Sequence, residues 1–185
     1  MNASVVRALE RGIRYALLAV FVVGFRRRDP GAVVNAVVAG MGTYLPDLVE
    51  RAYGVEVRPW QRAYVQAAMI THAVGMLGPY DEVWWWDHLT HAHSSSILGG
   101  AVFAISRRRG RDPRPRVVAA VACLGLLWEV VEYGIHVAAS RLGVEPILVS
   151  YGRRDTVLDL CFDLVGAVLV LAFGDRVLDD MAADQ

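Results

Sequence analysis

Hydrophobic residues in this chain gather in six runs, at about 12–25, 31–46, 60–79, 88–105, 116–140 and 156–174, divided by short polar stretches. Each run is near the roughly 20 residues an α-helix needs to cross about 30 Å of hydrocarbon. A helix at a water-facing surface shows a polar face with a 3.6-residue period, yet AVVNAVVAGMG and VVAAVACLGLLW are apolar almost all round. The pattern predicts an all-α protein, an integral membrane bundle of about six transmembrane helices, forming a single polytopic domain over residues 1–185. Arg7, Arg11 and Arg14 precede the first run as in a signal peptide. The run ends in Phe25-Arg26-Arg27-Arg28, not at a small-residue cleavage site, so it is expected to remain as the first helix.

Composition reinforces this picture: 55% of residues are hydrophobic and the mean hydropathy is +0.36. All 19 basic residues are arginine, and 19 acidic residues balance them. With no net positive field to gather polyanions, a nucleic-acid partner is not expected; the lipid bilayer is. Cys123 and Cys161 stand alone in apolar runs, which excludes a CxxC motif and makes both expected buried packing residues. Basic residues near helix ends stay on the cytoplasmic side. With a cytoplasmic N-terminus, 13 arginines fall in inner segments and 6 in outer loops. This predicts a cell-membrane protein with N- and C-termini cytoplasmic, and an outer loop carrying Pro79, Asp81, Glu82 and an interfacial belt of Trp84, Trp85 and Trp86. The triplet Arg26 to Arg28 opposes that assignment unless run 31–46 is a hairpin that does not cross. The arginines between 107 and 116 read as a solvated cytoplasmic loop and an orientation signal, not as a lipid-specific site.

Ionisable residues inside such runs cost roughly 2.5–3.5 kcal/mol each on insertion scales, which makes them functional candidates with partners. The fourth run opens with Asp87, His91 and Ser94 within about 60° of one another on a helix. In the fifth, Glu129, Glu132, Tyr133 and His136 are spaced i, i+3, i+4, i+7 on one face. Asp155, Asp159 and Asp163 recur every fourth residue in the sixth, so like charges crowd one side unless protons, a cation or basic groups intervene. The six-crossing arrangement puts all three stripes in the outer half of the bundle, with His72 at a similar depth. His88 and His93 point away from the Asp87 face and read as packing or interfacial histidines. Asp155 also suits the first turn of a helix.

These motifs resemble the YjdF-like family of small multi-pass membrane proteins. The resemblance runs through Leu45-Pro46-Asp47-Leu48-Val49-Glu50-Arg51, Gly78-Pro79-Tyr80, Trp85-Trp86-Asp87 with His91, Trp128-Glu129 to Glu132-Tyr133, and Gly152 to Asp155-Thr156, Asp159, Asp163 and Gly166-Ala167. It implies a polytopic membrane protein sharing those polar positions, and no particular reaction. His88, His93 and Arg153-Arg154 depart from the pattern. A shorter likeness, the helix-opening Asp-x-x-x-His, links the chain to VanZ-like membrane proteins.

A buried set of carboxylates and imidazoles binds a divalent cation, passes protons or activates water on a metal. Oxygen and imidazole donors without thiolates suit Zn²⁺, Mn²⁺ or Fe²⁺. Ser94, Ser95 and Ser96 lie near histidines but lack a nucleophile elbow. Three functions follow. The first is binding or transport of a cation or a proton-coupled solute, which in a chain this short calls for a homo-oligomer. The second is a metal-dependent hydrolase or lipid-modifying enzyme, with His91, Asp87, Asp159 and Asp163 on the metal and Glu129 or Glu132 as base. The third is a structural subunit whose polar cluster only joins helices.

Overall fold

The computed structural model describes residues 3–182. Each apolar run becomes helix: α1 (Ala3–Arg27), α2 (Pro30–Gly42) continued after Thr43-Tyr44 by α3 (Leu45–Tyr53), α4 (Pro59–Gly75), α6 (Trp86–Arg108), α7 (Pro113–Leu142) and α8 (Arg153–Val177). Two single-turn helices, α5 (Pro79–Glu82) and α9 (Asp179–Ala182), complete the described elements, among which there is no strand. The all-α expectation is met.

Three stretches, Pro30–Tyr53, Pro113–Leu142 and Arg153–Val177, are long and apolar enough to cross a membrane. Only 17% of the most apolar window of α7 and 33% of that of α8 is buried. Leu126, Leu127 and Val130 on α7, and Val157, Val168 and Phe173 on α8, stand exposed. Such continuous apolar surface is what a lipid-facing helix presents. The two cysteines follow the same logic and correct the sequence expectation: Cys123 and Cys161 are exposed free thiols on these outer faces. An apolar run in lipid does not need to turn its small hydrophobes inward.

The chain groups into two compact units. One comprises residues up to Trp86 together with Ile135–Leu148. Here α1, α2 and α4 pack around Leu17, Val20, Ala36, Ala39 and Ala73. Pro30 opens α2, and Asp29 caps it by accepting from the Ala32 amide at 2.8 Å. Gly24 lets the two helices meet, since a Cβ there would stand 2.9 Å from that of Ala32. Arg62 of α4 ties the helices at their polar end. Its guanidinium reaches Glu10 of α1 at 3.1 Å, and Asp47 and Glu50 of α3 at 2.8 and 2.5 Å. Glu50 in turn accepts from the Val57 amide at 2.9 Å, folding the 54–58 connection back. The Leu-Pro-Asp-Leu-Val-Glu-Arg motif thus supplies two of the three acids around one arginine.

The second unit holds Asp87–Gly134 and Val149 onward. Its core is Phe103, Val117, Val121, Ala167 and Val170, contributed by α6, α7 and α8. Small residues bring these helices close. A Cβ at Gly166 of α8 would strike Ser95 and the backbone of Ala92 and Ser96 on α6, and one at Gly125 of α7 would strike the Asp163 carboxylate on α8.

Removing Arg62 leaves the buried Glu10 without its cation. Arg62→Met is expected to cost about 1–3 kcal/mol, the scale of a part-buried charged group left without its partner. Asp175→Asn, which breaks an exposed pair with Arg107, is expected to cost under about 1 kcal/mol. Thermal unfolding of both variants in one detergent checks the contrast.

Candidate functional site

The polar stripes of α6 and α8, with Glu129 and Glu132 of α7, come together inside the second unit. Asp87, His91 and Asp159 each offer a ligand atom, and these atoms all lie within 4.8 Å of one another. Donors bound at about 2.1 Å to one ion are at most about 4.2 Å apart, so side-chain adjustments of under an ångström close the set. His91 is the centre of the arrangement. Its Nδ1 is 3.2 Å from Oδ1 of Asp163, while its Nε2 faces Asp87 with Oδ1 at 3.8 Å. A carboxylate at one ring nitrogen fixes the tautomer and leaves the other nitrogen for a metal.

Asp159 is only 2% exposed and meets a second imidazole, with His88 Nδ1 3.1 Å from its Oδ1. The His88 ring is itself pinned by stacking on Phe162, with centroids 4.7 Å apart and planes 3° apart. His88 therefore belongs to the cluster, against the expectation that it packs elsewhere. The inner face of α6 is better traced by His88, His91 and Ser95, at i, i+3 and i+7, than by Asp87, His91 and Ser94. Ser95 is buried and donates to the His91 carbonyl at 2.7 Å. Ser94 is half-buried beside it.

Glu129 of α7 is 6% exposed. Its carboxylate has the Thr156 side chain as a polar neighbour and feels the charges of His91, Asp155 and Asp163. Its Oε1 is buried with no hydrogen-bond partner. Glu132, half-buried one turn on, has Glu129, Asp87, His91 and Asp159 as electrostatic neighbours. Asp155 lies in the first turn of α8 and is half-buried. Tyr133 is 63% exposed, so its ring points out of this group. Two other sequence candidates fall in the first unit: His72 pairs through Nδ1 with the Tyr80 hydroxyl at 2.8 Å, and His136 is half-buried on the last turns of α7. Of the tryptophans, Trp84 is 80% exposed as a belt residue would be. Trp86 instead donates from Nε1 to the Thr71 carbonyl at 3.2 Å.

Apolar outer faces, small-residue helix contacts and an inward carboxylate and imidazole cluster define an all-helical membrane protein. The chain belongs to the family described as "Predicted membrane protein (DUF2238)", whose model matches residues 9–180. That assignment agrees with the YjdF-like motif pattern. A relative from Thermotoga maritima, described as an uncharacterized protein, is 26% identical over 138 residues, covering 68% of this chain and 67% of its own length. No solved structure matches.

His88→Leu keeps an apolar contact with Phe162 but leaves the buried Asp159 carboxylate short of a donor. A loss of about 1–3 kcal/mol is expected, against about 0.5 kcal/mol or less for Tyr133→Phe at the exposed position. Melting temperatures of the two variants measure the difference.

Proposed function

We propose that this protein is a divalent-cation-binding membrane protein, a single polytopic domain with cytoplasmic termini whose carboxylate and histidine cluster occupies the outer half of the bundle. Asp87, His91 and Asp159 are the metal ligands. Asp163 orients His91, and His88 orients Asp159. The observation that carries this reading is the convergence of three ligand atoms within 4.8 Å around an imidazole whose far nitrogen already has a carboxylate partner. Charge balance supports it as well. Six acids, Asp87, Glu129, Glu132, Asp155, Asp159 and Asp163, share this region with two imidazoles, and a low-dielectric interior demands compensation of such an excess by a cation or by protons. The donor set of oxygen and nitrogen without sulfur favours Mn²⁺, Fe²⁺ or Zn²⁺.

Cation binding serves uptake or exchange across the membrane, with carboxylates changing charge as the ion enters and leaves. A second reading, metal-dependent hydrolysis, is favoured by one observation: the buried and unpartnered Oε1 of Glu129. A carboxylate oxygen held this way is suited to take a proton from a metal-activated water.

Metal analysis of detergent-purified protein and thermal shifts with Mn²⁺, Fe²⁺ and Zn²⁺ test the proposal. A saturating ion at about 100 times its Kd is expected to add about 2.7 kcal/mol by mass action. Asp159→Asn is expected to lose this effect while remaining folded. A wild-type protein that is metal-free and unresponsive to all three ions returns the cluster to proton transfer or helix assembly. The hydrolase reading is sunk by an ion-responsive protein in which Glu129→Gln binds the metal normally and no ester or phosphoester is turned over.

A further inference from the structure

A second feature lies at the other end of α6, far along the helix from His91. There α6 closes in a Schellman motif: Gly110 takes φ 61°, its amide donates to Arg107 O at 2.9 Å, and the Arg111 amide donates to Ser106 O at 2.9 Å. The reversal is followed at once by α7, whose start Asp112 caps by accepting from the Arg114 amide at 3.0 Å. Pro113, the first residue of α7, is buried. The hairpin thereby places three arginines, 107, 111 and 114, around one open cavity of about 370 Å³, lined also by Leu171, Asp112 and Asp175. That volume is in the range of ligand sites.

The charges in this cavity are not equivalent. Asp175 is paired with Arg107, which also lies over the Phe103 ring at 5.7 Å. Asp112 is occupied with the helix start and, through its carbonyl, with Arg116 at 2.7 Å. Neither acid has an ion pair with Arg111 or Arg114, whose guanidinium groups have no side-chain partner among the described residues. Two arginines without an acidic partner, lining one cavity beside the positive end of α7, suit a tetrahedral oxyanion. A loop that served orientation alone would not need a cavity.

We propose that this cavity binds a phosphate-bearing anion, with Arg111 and Arg114 as its direct contacts and Arg107 held in place by Asp175. An anionic lipid headgroup carries such a phosphate, and basic pockets between helices on the cytoplasmic side are suited to such headgroups. Free inorganic phosphate offers the same oxygens without the tail.

The test uses full-length protein in an uncharged detergent with three probes: dioctanoyl phosphatidylglycerol, dioctanoyl phosphatidylcholine, and sodium phosphate against sodium chloride at equal ionic strength. A melting-temperature rise with phosphatidylglycerol but not phosphatidylcholine identifies a lipid headgroup. A rise with phosphate that phosphatidylglycerol does not exceed identifies the free anion. Either supports the site if Arg111→Gln and Arg114→Gln each weaken binding about tenfold, the scale of one lost charge-assisted contact, while Arg109→Gln on the same turn does not. The proposal is overturned if neither probe shifts the wild-type protein, or if Arg109→Gln weakens binding as much as Arg111→Gln.

Discussion

A carboxylate withdrawn into a low-dielectric interior must be met there by hydrogen-bond donors or positive charge, or its desolvation is left uncompensated. The second unit is organised around that constraint. Asp159 and Asp163 occupy successive turns of α8 and face His88 and His91 on α6 at 3.1 and 3.2 Å. These contacts fix the rotation of both helices about their axes and their register along one another. A one-residue slip would carry both aspartates about 100° away from the imidazoles.

Such short contacts require the helix backbones to approach closely, and glycine makes the approach possible. Gly166 gives Ser95 and the Ala92 carbonyl their space, and Gly125 gives Asp163 its own. The same packing continues in the apolar core of Phe103, Val117, Val121 and Val170. The hydrocarbon-facing sides need no such detail. Between helices in lipid the hydrophobic effect gives no net attraction, so polar contacts and close packing take over the role of a soluble core.

The long helices could be located from the apolar runs because run length and polarity are local properties of the chain, although the run 31–46 divides into α2 and α3 and no run marked the single-turn α5 and α9. The polar stripes were legible only in part: Asp87 and His91 on α6 meet Asp159 and Asp163 on α8, while Tyr133 and His136 of the α7 stripe stay outside the group. What the spacing hid was the side of α6 that faces α8. A helix carrying Asp87, His88, Thr90, His91, His93 and three serines has polar groups at nearly every angle, so no single wheel position distinguishes His88 from Ser94. Only the partner helix decides, and Phe162, one turn after Asp159 on α8, was the signal that an aromatic ring would stack on His88 there. The Arg62 network was missed for a different reason. Glu10, Asp47, Glu50 and Arg62 lie on three helices, and no periodicity within one segment links them.

The proposed site requires His91 to bind an ion directly while Asp163 holds its other nitrogen. Pulsed electron paramagnetic resonance of Mn²⁺-loaded protein reads this at the atom concerned, since an imidazole nitrogen on the metal modulates the electron spin echo. The account predicts a ¹⁴N modulation in the wild-type protein that disappears in His91→Gln. A Mn²⁺ signal coupled only to water protons, unchanged between wild type and variant, would contradict it.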